Sequence, residues 1–567
     1  MKSVVVATVV VMFAVCTLRA HAQDIAGDWE GTLHAGVADL HLVLHITKAD
    51  ANSLKATLDS VDQGAYGIPV SSIVLNNSRL SLGVDAVHGT YEGKVSSDGG
   101  TISGTWTQSQ PLPLDFKRST SPVKEHKPAK PSDIDGAWLG TLDTGIAKLR
   151  VVFHIVNTDD GLVATMDSLD QGVKGLPTTK TTRDGATLKI DAEKINGVFE
   201  GKISADLGSI EGNWTQGGNK MPLALHRLKD QSELQPPKRP QNPTKPYPYK
   251  DEDVSYENKV QNVTLAATLT IPQGKGPFRA VVLITGSGPQ DRDETLLGHK
   301  PFLVLSDYLT RRGIAVLRAD DRGTAKSTGD FAAATTADFA TDTEAGISYL
   351  KTRPEIDPHK IGLIGHSEGG IIAPMIAARN PDVAFIVMMA GSGVRGDDIL
   401  VEQTEAIEEA SGKSHEEAVK DATKEREVLN LVETEKDEAV LDKDLKEKLS
   451  GDMPEAQAGA TIKILSSPWF RYFLTYDPAV ALRKVKCPVL AIGGEKDTQV
   501  PVKENLPAIR AALEQGGNKH FEVDELPGLN HLFQTAKTGS PTEYSAIEET
   551  ISPVALEKIG KWILSND

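Results

Sequence analysis

Cysteine is nearly missing from this chain: of 567 residues only Cys16 and Cys487 carry a thiol. If Cys16 leaves with an N-terminal leader, Cys487 stands alone and no internal disulfide can form. An exported chain of this kind must be held by its packed cores. Positive charge is also in deficit, with 61 Lys and Arg against 78 Asp and Glu and a net charge of −17. That balance argues against nucleic acid as a main partner. Long apolar runs are missing except at the N-terminus, so no membrane span is expected after leader cleavage. The 25% of charged residues is ordinary for a soluble protein, and 567 residues are too many for one core.

The N-terminal run reads as an export signal. Lys2 gives a positive start, residues 4–15 are apolar, and Ala20-His21-Ala22 makes a small-x-small cleavage site before Gln23. Residues 1–22 are therefore expected to be a signal peptide, and the mature protein periplasmic or secreted. The run is too short to anchor in a bilayer, and Val15 is too large to precede a lipidated Cys16.

The N-terminal half repeats itself at an offset of 108 to 109 residues. IAGDWEGTL (25–33) returns as IDGAWLGTL (134–142), and LDSVDQGAYGIP (58–69) as MDSLDQGVKGLP (166–177). YEGKVS and GTWTQ, around Tyr91 and Trp106, return as FEGKIS and GNWTQ around Phe199 and Trp214. Such agreement marks duplication of one unit. Leu40, Leu42, Leu44 and Ile46 alternate with polar residues, as do Leu149, Val151, Phe153 and Ile155. Period two predicts strands with one buried face, hence two small antiparallel β-domains over 23–118 and 134–228.

Asp62-Gln63-Gly64 and Asp170-Gln171-Gly172 are expected to be turns that need glycine and a hydrogen-bonding Asp, ahead of a glycan or partner site. His41 and His45 share a strand face but lack a third ligand, so no metal is expected. Two Pro- and Lys-rich stretches, 119–133 and 235–250, read as extended spacers; the linker before the next domain is set at 229–253.

From about residue 254 continuous apolar runs alternate with helical segments: AVVLITG (280–286), IAVLRAD (314–320), IGLIG (361–365), AFIVMMAG (384–391) and PVLAIGG (488–494). That pattern predicts a mostly parallel sheet covered on both faces, over 254–567. VTLAATLTIP before it reads as an antiparallel leading strand. Residues 396–476 break the pattern with a charged stretch rich in helix formers, expected to be an inserted helical cap with a solvated charged face. SSPWFRYFL (466–474) suits either the lining of an acyl pocket or the seating of the cap.

One motif carries chemistry. In IGLIGHSEGG (361–370) an apolar run enters Gly365-His366-Ser367-Glu368-Gly369 and a helix with small first residues leaves it. A lone G-x-S-x-G is weak, but strand–turn–helix is the setting a nucleophile elbow needs. Ser367 then requires a base and an orienting acid. His531, in a loop after the last strand, is the candidate base; His366 points elsewhere on the turn. Asp497, just past a strand, is the candidate acid, with Glu495 as the alternative. The order Ser367, Asp497, His531 suits the strand succession of such a fold. The oxyanion donors are expected to be the backbone N–H of Glu368 and that of Ser287, with Gly288 as second choice, in TGSGPQDRDE (285–294). Asp291, Arg292 and Asp293 read as an ion-pair brace for that loop.

GSGPQDRDE, LRADDRGTAKS (317–327), GHSEGG, GGEKDTQVP and GLNH together resemble the α/β-hydrolase superfamily. More narrowly, the chain is similar to exported bacterial hydrolases of the serine aminopeptidase-like and dienelactone hydrolase-like branches. The resemblance covers 254–567 and leaves the β-repeats outside. It implies the triad named above and a structural role for Asp321, Arg322 and Gly323 near the oxyanion loop. The expectation is a serine hydrolase, a carboxylic ester hydrolase acting on small-molecule esters through an acyl-enzyme, with no cofactor. One alternative is an exported aminopeptidase or acyl-peptidase, which needs a carboxylate to grip the substrate's α-ammonium. A second is a glycan- or surface-binding module with a vestigial hydrolase domain. Acyl length and oligomeric state are not fixed by the sequence.

Overall fold

The computed structural model describes residues 24–566 except 36–37, 51–52, 61–64, 88, 109–110, 120–129, 145–146, 159–160, 172, 218, 236–237 and 450–454. The expected signal peptide, Asp62-Gln63-Gly64, Gly172 and most of the first spacer lie outside these residues.

Each repeat folds as a curled antiparallel sheet of nine strands. The first runs from Gly27–Ala35 to Pro111–Arg118 and the second from Gly136–Asp143 to Asn219–Arg227. In both, the first strand pairs with the last, and the chain meanders outward on either side. The duplication extends to single contacts. Arg118 caps the buried Trp29 ring at 4.4 Å, and Arg227 caps Trp138 at 4.6 Å. The Trp106 ring fills the space a Cβ would need at Gly89, and Trp214 does the same at Gly197, each within 2.2 Å. His45 is buried between Asp28, 2.8 Å from Nδ1, and Asp59, 3.0 Å from Nε2. These carboxylates raise its pKa to about 9 against the effect of burial. Asp170 accepts the Arg150 backbone N–H at 2.8 Å and its guanidinium at 2.7 Å, the role of a turn brace.

By packing, residues 137–152, 167–174 and 183–567 form one compact unit, and the first sheet with 153–166 and 175–182 another. Within the larger unit, Leu149 packs on Leu297, Leu532 and Tyr544. The second proline-rich stretch, expected to be a plain spacer, is fastened down. Arg239 donates to the carbonyls of Ile547, Leu297 and Ser545, and Gln241 bonds Ile551 and the Thr550 N–H.

The C-terminal sheet has eight strands: β1 (Lys250–Asn258), β2 (Val263–Ile271), β3 (Phe278–Ile284), β4 (Ile314–Ala319), β5 (Ile356–His366), β6 (Ile386–Met389), β7 (Val489–Gly494) and β8 (Phe521–Leu526). Their order is β1-β2-β4-β3-β5-β6-β7-β8. β1 and β2 pair antiparallel, as do β2 and β4, and the rest are parallel. β1 begins at Lys250, inside the stretch assigned to the linker: its alternating, largely polar sequence suits an edge strand and lacks the apolar run of a central one.

The helices are α1 (Pro301–Thr310), α2 (Thr336–Lys351), α3 (Glu368–Ala377), α4 (Gly396–Ala410), α5 (His415–Thr434), α6 (Glu438–Leu449), α7 (Glu455–Leu465), α8 (Pro468–Thr475), α9 (Pro478–Leu482), α10 (Val502–Gln515) and α11 (Pro553–Ser565). Alternate residues of β3 feed two cores. Val282 packs toward Ile347 and Ile376 on one face, and Val281 toward Leu309 and Ile559 on the other. Burial on both faces is why the central strands read as unbroken apolar runs. Helices α4–α8 form the cap between β6 and β7, with an apolar cluster of their own that includes Leu429, Leu441, Ile462 and Leu474. Its ends meet: a Cβ at Gly396 would lie 2.1 Å from the Phe473 carbonyl oxygen.

Candidate active site

Ser367 stands between β5 and α3 at φ 53° and ψ −116°, a conformation that favours glycine. The flanking glycines make it possible. A Cβ at Gly365 would lie 1.9 Å from the Gly369 carbonyl oxygen, and one at Gly369 would lie 2.2 Å from that of Ile284. A Cβ at Gly370 would lie 2.6 Å from the Gly391 Cα, so α3 is drawn tight against the chain after β6. The Ser367 N–H is fixed by the Met389 carbonyl at 2.8 Å.

The loops after β7 and β8 meet beside this turn. His531 Nδ1 is 2.9 Å from Asp497 Oδ2 and 3.1 Å from Oδ1, and both side chains are buried. Asp497 also accepts the Gln499 and Val500 backbone N–H groups at 2.9 and 2.8 Å, which fix its orientation. Glu495 turns away and accepts from Gly528 N–H at 2.7 Å. Ser367 and His531 line the same cleft of about 330 Å³. Among the described residues no hydrogen bond joins the Ser367 hydroxyl to the His531 ring; such bonds often tighten only with substrate in place.

Ser287 and Glu368 line that cleft as well. Among the described residues the Ser287 N–H meets no protein acceptor. The Glu368 N–H opens α3, where the first amides lack helical partners. Gly288 lies apart, lining a smaller void with Tyr256 and Phe339. The Gly286 amide is already taken by Glu294 Oε1 at 2.8 Å.

Ion pairs hold the 285–294 loop, but to distant partners. Arg292 forks onto Asp320 at 2.9 and 2.7 Å, and Asp293 meets Arg318 at 2.9 Å and Lys300 at 3.2 Å. In the Asp-Arg-Gly turn, Arg322 grips Asp342 at 2.7 Å. Asp321 accepts from the Thr285 hydroxyl at 2.7 Å and the Gln290 N–H at 2.9 Å, on either side of Ser287.

The cap closes the cleft with Ile399, Leu400 and Gln403 from α4 and Trp469 and Phe473 from α8. Trp469 Nε1 donates to Glu368 Oε1 at 2.9 Å, and Thr336 donates to the same oxygen at 2.7 Å. Burial raises the Glu368 pKa, and the hydrogen bonds from Thr336, Trp469 and Ser287 oppose that. The contribution of α4 and the carboxylate role of Glu368 escaped the sequence, because α4 carries only the charged pattern of a solvated helix. Among the described residues, Glu405, Glu409 and His415 lie close enough together to hold a cation, but they are on the cap and none lines the cleft.

Comparison with known proteins bears on the same region. Residues 261–523 match the X-Pro dipeptidyl-peptidase (S15) family. Esterase EstD of Thermotoga maritima is 27% identical over 312 residues, which is 55% of this chain and 68% of that protein. Among solved structures, the Pyrococcus furiosus esterase Pf2001 is 17% identical with a TM-score of 0.35, over 56% of this chain and 93% of its own. Est1E of Butyrivibrio proteoclasticus, with ferulic acid bound, is 18% identical with a TM-score of 0.34, over 55% and 98%. The C-terminal part of the chain, an eight-stranded sheet with a strained serine at the end of its fifth strand, is thus similar to the X-Pro dipeptidyl-peptidase (S15) family and to an esterase.

Proposed function

We propose that the protein is a serine hydrolase that cleaves carboxylic esters through an acyl-enzyme. The observation that carries this reading is that His531, held by the buried Asp497, lines one cleft with the strained Ser367 and with Ser287 and Glu368. Ser367 Oγ attacks the ester carbonyl carbon while His531 Nε2 takes its proton. Asp497, bonded to Nδ1, fixes the tautomer and stabilises the imidazolium. The oxyanion is met by the Ser287 and Glu368 N–H groups. His531 returns the proton to the leaving alkoxide, and water then cleaves the acyl-enzyme by the same steps.

The S15-family match favours a second reading, a peptidase acting at peptide N-termini. A panel of short-chain chromogenic esters beside aminoacyl anilides decides between them. Esters are expected to turn over faster, with Ser367→Ala lowering kcat by about 10⁴-fold or more. Faster anilide cleavage reverses the ranking, and an active Ser367→Ala enzyme refutes both. The reading includes export, which N-terminal sequencing of the mature protein from the periplasm or medium tests at Gln23.

A further inference from the structure

We infer that His366 and Glu294 form a positioning pair behind the reacting groups, and that it holds the His531 loop and the Ser287 loop in register with Ser367. The inference rests on the proposed roles of Ser367 and His531.

His366 is the last residue of β5 and is buried, with its side chain 7% exposed. Its ring is bonded at both ends: Nδ1 is 2.9 Å from Glu294 Oε1, and Nε2 is 3.1 Å from the main-chain oxygen of His531. A carbonyl oxygen carries no proton, so Nε2 must donate. Burial alone lowers the pKa of His366, but the Glu294 carboxylate, its hydrogen bond and the His531 carbonyl raise it further, so the net shift is upward. With an acceptor at each end, the protonated ring donates at both nitrogens and has Glu294 as its counter-ion. Glu294 Oε1 also accepts the Gly286 N–H, next to Ser287, at 2.8 Å. One buried carboxylate oxygen thus ties the oxyanion loop to the end of β5. The imidazole extends the tie to the main chain of His531, whose ring lies 4.9 Å away, centroid to centroid.

These segments are far apart in sequence, Glu294 72 residues before His366 and His531 165 residues after it. Nothing local sets their spacing. Misplacing a reacting group by about 1 Å costs on the order of 10²-fold in rate. Both residues also border the cleft, but the pair acts through the His531 main chain and the Ser287 loop.

The amide nitrogen of Asn can stand in for Nδ1, and that of Gln for Nε2. His366→Asn therefore keeps the Glu294 bond and drops the His531 bond, and His366→Gln does the reverse. With rates expressed per site titrated by a fluorophosphonate, His366→Asn is expected to lower kcat about 100-fold and leave KM little changed. His366→Gln should recover most of that loss. Wild-type kcat in both variants, a Gln variant no better than Asn, or a loss confined to KM overturns the inference. Should either variant fail to fold, downfield proton NMR of the intact protein decides: a slowly exchanging His366 Nε2–H is expected, and its absence refutes the pair. Ser367→Ala and His531→Ala run alongside. Activity in those removes the underlying reading, whereas inactive controls beside a fully active His366→Asn remove this inference alone.

Discussion

At Ser367 a side chain is held where the backbone would choose glycine, and at Gly365 and Gly369 there is no room for anything larger. The motif was legible because this steric demand is local: five adjacent residues carry it. Asp497 and His531 were legible for a different reason: each lies in a loop just past a strand, Asp497 after the apolar run 488–494 and His531 after the last strand. The Glu294–His366 pair was not legible. Both residues stood in motifs already noted, but a contact across 72 positions leaves no local pattern. Asp321 shows how strongly burial acts here. It pushes the carboxyl up to about 8 despite the lowering bonds from Thr285 and Gln290, with Glu294 and Glu368 adding repulsion. The folded protein keeps a proton there that the unfolded chain releases near 3.8. The folded state thus binds more protons than the unfolded state, so this group's contribution falls as pH rises from about 4 to 8, by roughly 1 kcal/mol per pH unit. Asp321→Asn mimics the protonated form, and thermal unfolding from pH 5 to 8.5 should show a shallower decline than wild type. Parallel curves would refute the assignment.

At the scale of elements, the cap is a small helical core with one edge over the cleft that Ser367 and His531 line. The aromatic stretch 466–474 left two roles open, and α8 turns a face to each neighbour, with Tyr472 packed against the core of the sheet. Trp469 and Phe473, four apart, stack at 5.6 Å and line the cleft, while Phe470 and Leu474 enter the cap core. Trp469 also bonds Glu368, the residue after the nucleophile candidate, so cap and elbow share a fixed point. Trp469→Ala should lower kcat/KM for short esters about tenfold through a higher KM, with longer acyl chains gaining relative to short ones. Trp469→Phe keeps the ring without the N–H and should fall between. An unchanged chain-length profile would show that the indole does not bound the cleft. The sheet itself was readable from composition except at its edge, where β1 lacks the apolar run that betrays central strands.

At the scale of the whole molecule, the repeats were readable down to their Trp and Gly positions, but the anchorage of the stretch after them was not. Proline and lysine signal an extended chain without saying what it lies against. A truncated chain starting at Lys250 retains all eight strands but loses Arg239 and Gln241, which hold 545–551 through five hydrogen bonds. At about 1 kcal/mol net per bond, its Tm should fall by about 5–10 °C relative to a chain starting at 238. Equal unfolding temperatures would show that these bonds contribute nothing. The neck where Gly396 backs onto Phe473 carries a last implication. Entry and exit of the insertion sit side by side, so a lid of another length or lining can replace it by two cuts, without rethreading a single strand. Appetite for new substrates can thus evolve in one contiguous cassette while the reaction machinery beneath is inherited intact.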